Sequence, residues 1–135
     1  MKRLFGSALL SVIVLAGGLS CGGDSTGSGP GVLKVRLTTP PANSGLDSAI
    51  VFTIHSPTAL TSVSAPQGLR LFQQPLVGTT TRFALIGQLT NGATILTIGV
   101  QDVSQLSQYG GSIEGVAQPN YLLRPPGGYA LALTR

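Results

Sequence analysis

From Val32 onward the chain is a series of short apolar runs, each closed by a turn signal within a few residues. The runs are Val32–Leu37, Ala49–His55, Leu60–Ser64, Leu69–Phe72, Thr80–Ile86, Ala93–Val100, Ser112–Ala117, Tyr121–Arg124 and Tyr129–Leu133. Between them fall Pro40-Pro41, Asn43-Ser44-Gly45, Ser56-Pro57, Pro66-Gln67-Gly68, Asn91-Gly92, Gly110-Gly111, Pro119-Asn120 and Pro125-Pro126-Gly127-Gly128. Short β-rich runs at this spacing build a sandwich or a barrel. No long stretch carries helical periodicity. The reading is all-β, a single antiparallel β-sandwich over residues 32–135, which at 104 residues is enough for one domain and not for two.

Alternation within the runs selects the core. Leu33, Val35 and Leu37 alternate with Lys34 and Arg36, and Ile50, Phe52 and Ile54 with Val51 and Thr53, while Tyr129, Leu131 and Leu133 form a last inward row. Asn91-Gly92 is the strongest two-residue hairpin signal, because a type I′ turn wants positive φ at both central residues. Pairing Thr90 with Ala93 sets Leu85 against Ile98, Phe83 against Val100, Gly87 against Leu96, Arg82 against Gln101 and Ala84 against Gly99. A longer loop over Gln88–Gly92 is the alternative to that register. The segment Asp102–Leu106 predicts one or two helical turns, with Asp102 as N-cap and Gln105 three places on.

The N-terminus carries a different kind of signal. Lys2 and Arg3 precede an apolar stretch from Leu4 to Leu19 broken only by Gly and Ser, the layout of an export signal over residues 1–20. It is shorter than the about 20 apolar residues a membrane-spanning helix needs. The only cysteine of the chain, Cys21, follows at once, so no intramolecular disulfide can brace the fold. Gly18-Leu19-Ser20-Cys21-Gly22-Gly23-Asp24 resembles the lipobox of bacterial lipoproteins, with Gly18 where the family prefers a large aliphatic residue. The resemblance implies that Cys21 becomes an acylated, palmitate-type N-terminus. It also implies an exported protein held at the cell envelope, at the outer membrane or cell surface rather than as soluble periplasmic protein. The alternative is ordinary cleavage after Ala16-Gly17-Gly18 or Gly18-Leu19-Ser20, which leaves a soluble exported protein with one unpaired thiol. Residues 21–31, CGGDSTGSGPG, read as a flexible Gly/Ser tether.

The domain invites a second comparison. Ala49–Ile54, then Leu60-Thr61-Ser62-Val63, then the Gly-led Gly92–Ile98, resemble the cohesin-type sandwich in hydrophobic pattern. That resemblance implies a nine-strand, immunoglobulin-like sandwich, and a fold by itself transfers no function.

Charge and chemistry narrow the function by exclusion. The full chain has a formal net charge of +4, but without Lys2 and Arg3 six basic residues face four acids, a net of +2. The basic residues are scattered singly, with no stripe to follow a phosphate backbone, so nucleic acid is not an expected partner. A zinc or calcium site needs clustered ligands. The domain offers one histidine, His55, and three separated acids, Asp47, Asp102 and Glu114, so no metal, cofactor or catalytic set is expected. Gly23-Asp24-Ser25 resembles the nucleophile block of GDS-type esterases, without the Asp-x-x-His that such enzymes carry downstream. Tyr109 and Tyr121, each beside a Gly or Pro turn, are the candidate exposed aromatics for a ligand such as a glycan. The expectation is a non-enzymatic envelope lipoprotein that makes structural or protein contacts. A small carbohydrate-binding module is the alternative, and an envelope hydrolase the third.

Overall fold

A computed structural model describes residues 27–125 and 127–135. The leader, Cys21 and the tether as far as residue 26 lie outside the described residues. Eight of the apolar runs are strands: β1 (Gly31–Thr38), β2 (Asp47–His55), β3 (Ser62–Ser64), β4 (Arg70–Gln73), β5 (Thr80–Leu89), β6 (Thr94–Val100), β7 (Gly110–Ala117) and β8 (Ala130–Thr134). β3, β6, β1 and β8 form one sheet in that order, and β4, β5, β2 and β7 the other, with every neighbouring pair antiparallel. The pairings nest: first strand with last, second with seventh, third with sixth, fourth with fifth. The chain is therefore one antiparallel ribbon with its tip at the β4–β5 hairpin, folded over so that β1 also meets β6 and β2 also meets β5.

The inner rows of the two sheets supply the core of this sandwich. Leu33, Val35 and Leu37 of β1 face Ile50, Phe52 and Ile54 of β2 across it, all at 0–1% exposure, as their alternation predicts. Phe52 and Phe83 are direct cross-strand partners and stack with ring centroids 5.5 Å apart. Such aromatic pairs add stabilisation beyond the area they bury. Tyr129, Leu131 and Leu133 pack against this core from the edge and stay half-buried.

The Asn91-Gly92 hairpin is not formed. β5 and β6 are consecutive in sequence but lie in different sheets, so Leu85 pairs with Ile50 and Phe83 with Phe52, while Ile98 pairs with Leu33 and Leu96 with Val35. Phe83, Leu85, Leu96 and Ile98 all share the one core, but across the sandwich rather than along one ribbon. The reason lies in the turn. Gly92 has φ +80°, whereas Asn91 is not in the left-handed region, so the two positive φ values of a type I′ turn are absent. The corner is bound to the end of β1 instead: Gly92 N donates to Leu37 O at 2.7 Å, and Thr39 N donates to Asn91 Oδ1 at 2.9 Å.

The Tyr121–Arg124 run also differs from expectation. It forms a loop with a single bridge, Ala117 to Leu123, so the described residues hold eight strands rather than nine. A turn closed by Tyr121 N donating to Gln118 O (2.9 Å) breaks the run, and Tyr121 adopts φ +65°. The expected helical turns form as a 3-10 segment, Val103–Gln108, capped by the Asp102 side chain on Ser104 N. Asp102 Oδ1 also accepts from Gly29 N at 3.0 Å, which fixes the chain two residues before β1 begins.

Candidate functional site

The outward rows of the two sheets differ in kind. Residues directly opposite in a ladder project to the same face, so the register sorts the surface. On the β3-β6-β1-β8 sheet the outward rows are Ser62, Gly99 and Val32, then Ser64, Thr97, Lys34 and Thr134, then Thr94, Arg36 and Ala132, with Thr38 and Ala130 beyond. Apart from Val32, which is 54% exposed, the large side chains there are polar, as is usual for a solvated antiparallel sheet. On the β4-β5-β2-β7 sheet one outward row is Phe72, Ala84, Val51 and Gly115, and the next is Arg70, Ile86, Ala49, Ala117 and Leu123. Phe72, Ile86 and Leu123 are 46%, 50% and 77% exposed. Two adjacent rows, apolar but for Arg70, thus cross this sheet on its outer side.

One border of this band is polar and closed on itself. Glu114 sits where a β-bulge shifts the β2–β7 register, which turns its side chain across the outer face. Its carboxylate takes an ion pair from Arg82 at 2.5 Å and a hydrogen bond from Thr53 Oγ1 at 2.9 Å, and Thr53 is buried beneath it. Arg82 N donates to Gln74 Oε1 at 3.2 Å, and Gln74 N to Arg82 O at 3.1 Å. Between this border and the Phe72 ring lies a hollow of about 350 Å³ with Val51, Ala84 and Phe83 in its lining. The Arg70 guanidinium carbon is 5.4 Å from the Phe72 ring centroid, a cation–π distance.

At the end of the sandwich where the Gln118–Pro125 loop lies, a buried polar latch fixes that loop. Asp47, 1% exposed, accepts from Arg124 Nε at 2.8 Å and from the Tyr129 hydroxyl at 2.6 Å. Asn43 Nδ2 donates in turn to the Tyr129 oxygen at 2.9 Å. Burial, then the hydrogen bond to Asp47, push the Tyr129 phenol above its ordinary value, against the opposing Asn43 amide. Drawing Arg124 inward leaves Tyr121, Leu122 and Leu123 outside, at 91%, 58% and 77% exposure. A bulky residue at positive φ persists only where its surroundings hold it, and Arg124 of the latch is three residues on from Tyr121.

The residues singled out in the sequence fall in different places. Cys21 lies outside the described residues. Tyr121 is exposed as expected, but Tyr109, expected at the surface, is 8% exposed within the core cluster. The 3-10 segment before Tyr109 carries it back under the sheets, and its backbone N closes the segment on Leu106 O. The Tyr109 hydroxyl is buried and has no hydrogen-bond partner among the described residues. The three acids do not converge: Asp47 belongs to the latch, Glu114 to Arg82, and Asp102 to its cap. The Ser104 hydroxyl, then the backbone N–H groups of Gly29 and Ser104, hold the Asp102 carboxyl below its ordinary value. His55 ends β2, exposed, opposite Thr80 and Gly110. The described residues contain no group of three His, Cys, Asp or Glu side chains placed to hold a metal ion.

Phe72 and the apolar band were not singled out from sequence. The signal was present in β2, where Ala49–Phe52 is apolar at consecutive positions, the mark of a strand covered on both faces. No family model matches the chain, and no curated protein or solved structure matches it either.

Proposed function

We propose that this protein is a non-enzymatic lipoprotein of the bacterial cell envelope, a cohesin-like sandwich that presents the outer face of its β4-β5-β2-β7 sheet to a protein partner. The observation that carries the reading is the contrast between the two exteriors: Lys34, Arg36, Thr and Ser with Val32 as the one large exposed apolar residue on one sheet, and Phe72, Ile86, Val51 and Ala beside Arg70 on the other. Geometry suits a tethered module. β1 runs away from the tether, β2 returns and β7 runs out again, so Tyr121–Leu123 lies at the end remote from Gly31. An acyl anchor at Cys21, ten residues before Gly31 in sequence, attaches at the Gly31 end and leaves the remote end and the sheet exterior open to other molecules.

The glycan alternative has one observation in its favour, the exposed Phe72 ring on a sheet face. A sugar needs partners for several hydroxyls, and the groups bordering the hollow already bond to each other: Arg82 to Glu114, Glu114 to Thr53, Gln74 to the Arg82 backbone. What remains open is apolar but for Arg70 and Gln73. A hydrolase would need converging acids, and these three have gone to separate partners.

The anchor is tested by fractionation. Cys21→Ser should move the protein from the detergent phase to the soluble phase, because several acyl chains at ~0.8 kcal/mol per buried CH₂ carry the attachment. A variant that still partitions like the native chain rules the anchor out.

A further inference from the structure

The band on the β4-β5-β2-β7 exterior is small for an interface between two whole sheets. It crosses five backbone positions, about 20 Å at ~4.8 Å per strand, and is two rows deep, about 10 Å. Its area is about 200 Å², against the about 800 Å² that each side of a stable pair usually buries. A band of that shape takes a segment of about six extended residues. Its charge is one-sided. Arg70 stands on the Phe72 ring with no ion-pair partner among the described residues. Among the described residues the side-chain acids that a second copy could bring, Asp47, Asp102 and Glu114, are each engaged within their own fold, and the fourth acid, Asp24, lies outside them. A second copy docked through its folded domain leaves Arg70 unanswered.

We propose that the band receives a short acidic segment of a partner protein, which seats one large apolar side chain in the hollow beside Phe72 and places a carboxylate against Arg70. The inference rests on the protein-contact reading above and adds the chemistry of the occupant. The hollow, about 350 Å³, has room for one such side chain, and its floor is Val51 and Ala84. Phe72 contributes to both halves of the site: one ring lines the hollow and carries the Arg70 guanidinium. A carboxylate close in sequence to the apolar anchor pairs with Arg70 in a bidentate, charge-assisted contact. The Arg82–Glu114 pair closes the border beyond the hollow, so Arg70 is the one open charge on the band.

The test uses the full chain in envelope-bearing cells, with a photo-crosslinking amino acid at position 84 in the floor of the hollow or at position 97 on the opposite exterior. The expected result is a protein crosslink from position 84 and none from position 97. The captured segment should carry a large apolar residue within a few positions of Asp or Glu. Arg70→Glu should lower its yield by about tenfold or more by setting like charges together. Arg70 is exposed on an edge strand, and a thermal melt of Arg70→Glu and of Arg70→Ala checks that each folds. A protein crosslink that survives Arg70→Glu and Arg70→Ala undiminished, or a captured segment without acids, overturns the acidic occupant and leaves the protein contact standing. A crosslink to glycan, to lipid or to a second copy, or none at position 84, overturns both.

Discussion

Asp47 shows how much one residue carries here. Its buried carboxylate joins the start of β2 to the Arg124 loop and to Tyr129 at the head of β8. Asp47→Ala strands the Arg124 guanidinium, whose side chain is 19% exposed, and removes the acceptor of the Tyr129 hydroxyl. Breaking a buried pair from one side costs about 3–5 kcal/mol. Tyr129→Phe removes the hydrogen bond to the Asp47 carboxylate, worth about 1.5–3 kcal/mol, together with the acceptor of the Asn43 amide. Chemical denaturation of the two variants and their double mutant should show losses that do not add, since all three groups belong to one network. The latch also sets an alkaline limit. Tyr129 keeps its proton to higher pH in the folded chain than in the unfolded one, so its contribution is complete below the ordinary phenol value near ~10. That contribution is lost as pH rises through the raised folded value. A stability titration should therefore fall less steeply above that range in Tyr129→Phe than in the native protein. Little of the latch was legible in the sequence. Asp47, Arg124 and Tyr129 stand as isolated charges and a ring near a strand end, and only the folding of the ribbon brings together positions 82 apart.

At the scale of elements, local pattern and long-range pairing part company. Alternation gave the inward residues of β1 and β2 because burial acts on each strand alone. Pairing depends on the path between strands, and there Asn91-Gly92 misled: a strong hairpin dipeptide sits at a corner between sheets. Thr39 and Leu37, more than fifty residues earlier in the chain, supply the partners that favour the corner. Gly92→Ala should cost about 1–2 kcal/mol for a left-handed backbone position. Leu85→Ala should cost ~2–5 kcal/mol as a fully buried truncation. Arg82→Ala, its ion pair on the exposed face, should cost about 1 kcal/mol or less. Equal, small losses at Leu85 and Arg82 in denaturant melts would contradict the facing of β5. The burial of Tyr109 has the same root. Neighbouring glycines suggested a surface turn, but the capped 3-10 segment returns the ring to the core.

The described residues form a sandwich with one mostly polar exterior and one mostly apolar exterior, Gly31 at one end and the exposed Tyr121–Leu123 loop at the other. On the proposed reading Phe72 and Ile86, exposed on one face, are the residues a partner covers. The direct measurement is the size of the native protein's assembly in gently solubilised envelope, compared with Phe72→Ser/Ile86→Ser and with a Lys34→Ser/Thr97→Ser control on the other exterior. Both pairs replace exposed or half-exposed outward residues, so thermal stability should change little, by about 0.5 kcal/mol or less per site. The account predicts that the native chain and the Lys34/Thr97 control migrate together in a complex larger than the single chain, while the Phe72/Ile86 variant falls to the size of the monomer. A Phe72/Ile86 variant that stays in the complex, or a control that leaves it equally, contradicts the claim that this face is the contact surface.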